Sequence, residues 1–156
     1  MNINTENMKN LIFDIVTSAY DLKNAFTDAK EAEVNYAAVF SQSTEECSAL
    51  NKAAQGLGEI IQETPTGLLY KIAPLTTVAG NLQLLKIRKP DEARPERGDA
   101  DFTVTDYDSF KQTYLPKSGF KLIEREGFEM IELSDPNFDV LAYFSNPPLD
   151  VQLGIK

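Results

Sequence analysis

The sequence predicts an α+β fold in which an N-terminal helix precedes two copies of a strand–helix–strand–strand–strand (βαβββ) module. Three observations support this fold class. The first 29 residues have helical periodicity, the rest of the chain contains two halves with the same order of predicted elements, and a polar, proline-containing segment separates the halves. With 156 residues, 42% of them apolar, the chain is long enough to bury the core of one globular domain.

The first predicted element is an amphipathic helix over residues 5–29. Its apolar residues recur at intervals of three and four, which places them on one stripe of a helix. They are Met8, Leu11, Ile12, Ile15, Val16, Ala19, Leu22 and Phe26. We expect this stripe either to cover the protein's own sheet or to reach a second chain.

The first module is predicted over residues 34–89. Ser43 and Glu46 have the spacing of a capping box and mark the start of its helix, and Gly58 marks the end. Pro65 and Gly67 indicate a turn between two strands. The predicted strands are 34–40, 59–63, 68–73 and 82–89.

The second module is predicted over residues 99–145 and repeats this order about 60 residues later. Thr105 and Asp108 again have capping-box spacing, and Gly119 stops the short helix. The predicted strands are 100–105, 120–125, 128–133 and 138–144, followed by a tail to residue 156.

Residues 90–98 are predicted to form a linker, because the segment is polar and contains Pro90 and Pro95. Each module alone has too little apolar surface to cover one face of its sheet. We therefore expect the whole chain, residues 1–156, to be a single domain.

Composition excludes several classes of function. The net charge of −9 disfavours nucleic acid as a partner, since an acidic surface repels phosphates. The chain has no histidine, which removes the commonest general base and the commonest transition-metal ligand. One cysteine, Cys47, precludes an internal disulfide and fits a reducing, cytoplasmic location. We expect no signal peptide, because the N-terminus lacks a basic region and a small-residue cleavage site, and no membrane partner, because no apolar run approaches about 20 residues.

Two segments of the second half carry a resemblance to a known family. Asp99–Phe110 (DADFTVTDYDSF) looks like an opening strand and helix start, and residues 132–141 (ELSDPNFDVL) look like a "DPxGN" turn with a closing strand. Together with the tandem modules, they resemble the vicinal oxygen chelate superfamily, which includes glyoxalase I, bleomycin-resistance proteins and extradiol dioxygenases. The resemblance covers residues 34–145 and implies two curved sheets around a cleft, with helices outside.

The resemblance also implies where a metal would bind, and the sequence departs from the family there. Metal-dependent members place ligands, usually histidine and glutamate, on the first and last strands of each module. The matching positions are Asn35 or Tyr36, Gln83 or Leu84, Asp99 or Asp101, and about Ala142. Because a catalytic divalent metal normally needs three or more suitable protein ligands, we expect no catalytic metal and no other cofactor.

Alternation along residues 99–104 places Asp99, Asp101 and Thr103 on one face of a strand, opposite Ala100 and Phe102. If the apolar side meets the helices, the two aspartates face the cleft. They could bind a cationic or hydroxyl-bearing ligand, or one could be a general base. The alternative is a solvated strand start and an ordinary ion pair with a nearby arginine.

The remaining candidate ligand-binding residues come from other strands. Lys86 and Arg88 share a predicted strand face with Leu82 and Leu84, although Arg88 could simply pair with Asp91 or Glu92. Either Glu132 or Glu129 must share a strand face with apolar neighbours, because residues 128–133 do not alternate cleanly. We favour Glu132 in the cleft with Arg125 or a ligand as its partner, although Arg125 could merely end a hairpin. Tyr70 and Tyr143 are candidate cleft aromatics or ordinary core residues.

Three functions remain open at this point. The first is a metal-free small-molecule binding protein whose ligand is an aromatic or apolar acid. The second is an isomerase or lyase in which Asp101 and Glu132 transfer a proton. The third is a regulatory domain that forms a homodimer through the N-terminal helix.

Overall fold

The structure, a computed structural model, describes residues 2–155, which form four helices and eight strands. The helices are α1 (Thr5–Phe26), α2 (Thr44–Gln55), α3 (Tyr107–Tyr114) and α4 (Leu149–Gln152). The strands are β1 (Glu33–Phe40), β2 (Gly58–Thr64), β3 (Gly67–Thr77), β4 (Gly80–Arg88), β5 (Gly98–Thr103), β6 (Phe120–Arg125), β7 (Phe128–Leu133) and β8 (Val140–Asn146).

The eight strands form one sheet in the order β2-β3-β4-β1-β5-β8-β7-β6. In each half the first strand is parallel to the last, and the other pairs are antiparallel. This is the predicted α+β fold with two βαβββ modules. The two module sheets are joined edge to edge, because β1 and β5 pair antiparallel with Val39 opposite Gly98.

Helix α1 packs across the junction between the modules, with contacts to β1, β5 and β8. It ends at Phe26, three residues earlier than predicted, because Thr27 has extended backbone angles. Most of its apolar stripe is buried against the protein's own sheet, with Ile12 and Val16 fully inaccessible, whereas Phe26 at its end is 39% exposed. In the described part of the chain, no helix has the length and apolar character needed to cross a membrane.

The sheet has two different faces. The face towards α1, α2 and α3, here called the helix face, contributes Ala37, Ala100 and Phe144 to the main core. The opposite face, here called the concave face, carries a second, smaller apolar cluster of Ala38, Phe40, Leu141 and Tyr143. This cluster lies beside the polar side chains described below.

The alternation of side chains between the two faces of the sheet is interrupted within β4. The pairing of β3 with β4 shifts register between Lys71 and Leu75, opposite Leu84 and Leu82. Leu82 is therefore in the main core with Leu85 and Ile87, and it does not share a face with Lys86 and Arg88 as predicted. Strict alternation fails at this point because an irregular strand pair breaks the period of two.

Candidate functional site

The candidate site is a polar cluster on the concave face at the junction of the modules. One row of residues crosses the sheet there, since Tyr36 on β1 is opposite Asp101 on β5, Asp101 is beside Tyr143 on β8, and Tyr143 is opposite Glu132 on β7. The next row contains Lys86 on β4, Ala38 on β1 and Asp99 on β5. The two modules therefore contribute jointly to the cluster.

Asp99 and Asp101 are both buried on this face, with 3% and 0% exposure. Their neighbours Ala100 and Phe102 are in the core on the helix face, as alternation along β5 predicts. Burial, together with the charge of Asp101, raises the pKa of the Asp99 carboxyl to about 8, against the influence of nearby cations. Burial raises the pKa of Asp101 to about 7, although its hydrogen bonds to Ser145 lower it.

The two aspartates differ in their hydrogen bonds. Asp101 accepts from the backbone N–H of Ser145 at 3.3 Å and from the Ser145 hydroxyl. Asp99 Oδ1 is buried and has no hydrogen-bond partner among residues 2–155. A buried polar atom without a partner costs about 1–3 kcal/mol, so Asp99 is the member of the cluster that lacks a bonding group.

Two of the cations near Asp99 come from β4. Arg88 lies over the ring of Phe40, with the guanidinium carbon 4.7 Å from the ring centre. Its contact with Asp91 is long, at 3.8 Å, and Asp91 is largely exposed, so this pairing is weak. Burial and the neighbouring Arg88 lower the pKa of Lys86, and Asp99 raises it.

The third cation is Arg94, from the linker. Its Nη1 lies 3.1 Å from Oε2 of Glu132, and the hydroxyl of Tyr143 donates to the same oxygen at 2.8 Å. Burial raises the pKa of Tyr143, and the charges of Asp99 and Glu132 raise it further. Glu132 is therefore a buried carboxylate with two protein partners.

Arg125 is not the partner of Glu132. It lies at the exposed end of the β6–β7 hairpin, where its Nη1 donates to the carbonyl of Glu124. In the β6–β7 ladder Arg125 is opposite Phe128, whereas Glu132 is opposite Lys121 at the other end. The register of the hairpin thus separates two residues that the sequence predicted to meet.

Tyr70 also lies away from the cluster. It pairs with Leu85 in the sheet and is fully buried on the helix face. Its hydroxyl donates to Oδ1 of Asn51 on α2 at 2.8 Å. Tyr70 is therefore a core residue with a satisfied hydroxyl and not a cleft aromatic, whereas Tyr143 is on the concave face.

An open cavity of about 990 Å³ lies at the end of the sheet where β1 begins and β5 ends. Leu84 and Thr103 line it, and each is two residues from a member of the polar cluster, Lys86 and Asp101 respectively. Positions two apart on a strand are about 6.6 Å apart on the same face. The cavity is therefore adjacent to the polar cluster, and Thr103 connects the two.

The residues present do not fit the catalytic metal of the resembled family. Within residues 2–155, no three Asp, Glu or Cys side chains converge as a cation site would require. Two of the positions that match the family's metal ligands are Leu84 and Ala142. The strand pairing places Leu84 in the same row as Tyr36 and Asp101, and Ala142 packs in the helix-face core. Neither supplies a donor atom, and Asp101 is already bonded to Ser145.

Two members of the cluster were not predicted as ligand-binding residues. Arg94 is in the linker, where no periodicity indicates the direction of a side chain. Tyr36 alternates with the buried Ala37 and is half-buried opposite Asp101, so the alternation of β1 could have identified it.

Comparison with known proteins identifies a likeness of fold. No family model and no curated protein matches this sequence. Among solved structures, a structural-genomics protein, EC4020, aligns with 98% of this chain and 95% of its own, with a TM-score of 0.72 and 10% identity. The paired βαβββ topology is the one that the sequence resemblance implied. The chain has the vicinal oxygen chelate fold.

Two other solved structures align with a smaller part of this chain. A glyoxalase/bleomycin resistance protein/dioxygenase superfamily member from Vibrio splendidus 12B01 aligns with 73% of this chain and 97% of its own, at 11% identity and a TM-score of 0.44. Methylmalonyl-CoA epimerase from Mycobacterium tuberculosis aligns with 72% and 86%, at 12% identity and a TM-score of 0.46. At these scores we draw nothing from either match about the activity of this chain.

Proposed function

We propose that the protein is a metal-free small-molecule binding protein whose ligand is an organic acid with an aromatic or apolar body. The observation that carries this proposal is the charge balance around Asp99. Lys86, Arg88 and Arg94 lie near Asp99, whose raised pKa keeps its carboxyl largely protonated at neutral pH, and the pKa of Asp101 is also raised. Arg94 is paired with the carboxylate of Glu132, so Lys86 and Arg88 are the cations that give the cluster its positive charge. The cluster is therefore locally cationic within an acidic protein, and it attracts a carboxylate.

The surroundings of the cluster suit an apolar ligand body. Phe40 and Tyr143 form an apolar patch beside the cations. The adjacent cavity includes Leu84 and Val34, although most of its other lining residues are polar or charged, so the apolar patch is the part that suits an apolar ligand body. A ligand pocket of this type is mostly apolar, with a few polar groups that fix the orientation of the ligand. Arg88 is the natural carboxylate-binding group, because its stacking on Phe40 orients the guanidinium and its contact with Asp91 is weak.

Thermal-shift titration with benzoate, hexanoate, benzamide and benzylamine tests this proposal. We expect the two acids to raise the melting temperature, and we expect Arg88→Ala to weaken acid binding about tenfold. Arg125→Ala is the matched control, since it removes the same charge at an exposed hairpin end. Stabilisation by benzylamine alone, or equal acid affinity in Arg88→Ala, would reject the proposal.

A second candidate function is proton transfer to and from a bound acid, as in an isomerase or lyase. The free oxygen of Asp99 and its pKa of about 8 favour this candidate. The pair inferred from sequence, Asp101 and Glu132, is less suited, because Asp101 is bonded to Ser145 and Glu132 to Arg94 and Tyr143. Asp99 is therefore the better proton carrier.

Hydrogen exchange in D₂O distinguishes this second candidate from simple binding. Hexanoate, which has Cα–H bonds whereas benzoate has none, is incubated with the protein, and loss of its Cα–H signals is followed by NMR. Proton transfer by Asp99 requires exchange faster than in protein-free buffer and its loss in Asp99→Asn. Exchange at the buffer rate in the presence of the wild-type protein leaves binding as the function.

A further inference from the structure

We propose that Asp99 binds the carboxylate of the ligand as a neutral carboxylic acid, donating a hydrogen bond from its unpartnered oxygen while Lys86 and Arg88 supply the countercharge. The inference rests on the proposed function and assigns a specific role to a residue within it. It predicts that one proton accompanies the bound anion whenever Asp99 is ionised in the free protein.

The geometry of one row of the sheet supports this arrangement. Lys86, Ala38 and Asp99 are neighbours across β4, β1 and β5. Ala38 has a short side chain and is 1% exposed within the small apolar cluster of this face. The ion pairs of the described residues, within 4.0 Å, do not include Lys86 with Asp99. A ligand carboxylate that enters between these two side chains would therefore have an ammonium group on one side and a carboxyl group on the other.

The difference between the two aspartates identifies Asp99 as the ligand-binding one. Asp101 has both oxygens engaged by Ser145, which gives it a structural role between β5 and β8. Asp99 is 3% exposed, and its Oδ1 has no partner. Because buried polar atoms in proteins are nearly always hydrogen-bonded, this oxygen indicates a missing group of complementary chemistry.

The charged and titratable neighbours of Asp99 together determine its pKa. The neighbours are Asp101 on its own strand, Tyr36 on β1, Tyr143 on β8, Lys86 and Arg88 on β4, and Arg94 in the linker. Burial and Asp101 raise the pKa of Asp99 to about 8, and the cations only partly oppose this. Asp99 thus carries its proton at neutral pH, and an anion at Oδ1 raises that pKa further.

The long side chains near Asp99 are partly exposed, so we place the route of the ligand to Oδ1 beside them. The side chains of Arg88 and Arg94 are 18% and 30% exposed, and both lie near Asp99 without a strong hydrogen bond to it. Rotation of flexible arginine side chains is fast and costs little compared with movement of a strand. A carboxylate entering beside them would gain their charge as it reaches Asp99.

The test measures the dissociation constant of benzoate between pH 6.5 and 9.5 by ligand-observed NMR. For the wild type we expect an affinity that is nearly constant below pH 8 and that weakens towards tenfold per pH unit above it. Asp99→Asn keeps a neutral hydrogen-bond donor at the same place, so we expect it to bind benzoate with no such slope. Asp21→Asn, on the exposed side of α1, is the control with the same charge change.

The outcomes separate this inference from the proposed function. An unchanged slope in Asp99→Asn overturns the inference, because the titrating group is then another residue, while acid binding itself stands. If benzoate and hexanoate fail to bind the wild type at every pH, the proposed function fails too.

A second measurement needs no variant: the carboxyl ¹³C chemical shift of Asp99 at pH 8.5 should move to the value of the protonated form when benzoate is added. An unmoved shift on a saturated protein also overturns the inference.

Discussion

Arg94 and Glu132 form an ion pair, with Nη1 and Oε2 3.1 Å apart, that connects the linker to β7 of the second module. The same linker is attached to the first module by Arg97, whose guanidinium contacts both carboxylate oxygens of Glu46 on α2, at 2.6 and 3.1 Å. The linker is thus fixed at two points, one on each module. Arg94 holds Glu132, which in turn accepts from Tyr143 inside the polar cluster.

We expect Arg94→Ala to destabilise the protein by about 1–3 kcal/mol, because it leaves the nearly buried Glu132 with Tyr143 as its only partner described here. Urea unfolding at pH 7 measures this change. Arg125→Ala should stay within about 0.5 kcal/mol of the wild type, since Arg125 is exposed. Equal stabilities for the two variants would show that the Arg94–Glu132 pair contributes nothing.

Asp99 gives a second prediction, on the pH dependence of stability. In the unfolded chain its carboxyl ionises near its ordinary value of 3.8, whereas in the folded protein its pKa is about 8. Between these values the folded state binds more protons than the unfolded state, so stability falls as pH rises, by up to about 1.4 kcal/mol per pH unit for this group. The loss ends above about pH 8, where both states are ionised.

Comparison of Asp99→Asn with the wild type isolates this contribution. Other carboxyls act in the opposite direction at acid pH, since Arg97 lowers the pKa of Glu46 despite burial. The contributions of these other carboxyls are the same in both proteins, so they cancel in the difference between the unfolding free energies of the variant and the wild type. We expect urea unfolding at pH 5, 6, 7 and 8 to show that this difference shifts in favour of the variant as pH rises. A difference that stays constant with pH would mean that Asp99 ionises normally.

How far the sequence predicts this site depends on the strand. Along β5, simple alternation correctly places Asp99 and Asp101 opposite the helices, because that strand is regular and its other face is buried. Along β4 the same rule fails for Leu82, whereas on β3 alternation with Ile72 agrees with the core position of Tyr70. Tyr70 is on the helix face with Leu85, and a register shift moves Leu82 there as well. Such irregularities depend on how strands pair, so they cannot be detected from the alternation of residues within one strand.

The partners of Glu132 were beyond prediction for a different reason. The sequence shows that a glutamate lies among apolar residues, and a buried carboxylate requires a partner. It does not show which arginine reaches it, because Arg94 approaches from a loop without periodicity and Arg125 is separated by the hairpin register. The need for a cation was predictable, and the identity of the cation depended on tertiary structure.

Gly98 gives the last prediction, on the junction between the modules. It begins β5 opposite Val39, and a Cβ atom there would lie 2.3 Å from the carbonyl oxygen of Ala38 and 2.8 Å from Cδ1 of Ile15. Ile15 could rotate, but the carbonyl belongs to β1 and can move only with its strand. We therefore expect Gly98→Ala to cost about 3 kcal/mol in urea unfolding, at the upper end of ordinary overpacking.

Gly127→Ala is the control for this prediction. Gly127 has φ +84° and nothing within 4 Å of a built Cβ, so the substitution there costs only the strain of a left-handed backbone, about 1 kcal/mol. A larger loss for Gly98→Ala than for Gly127→Ala would show that close approach of β1 and β5, and not glycine conformation, is what the junction requires. Because that junction places Lys86, Ala38 and Asp99 in one row, Gly98→Ala should also weaken benzoate binding at pH 7, which Gly127→Ala should leave unchanged.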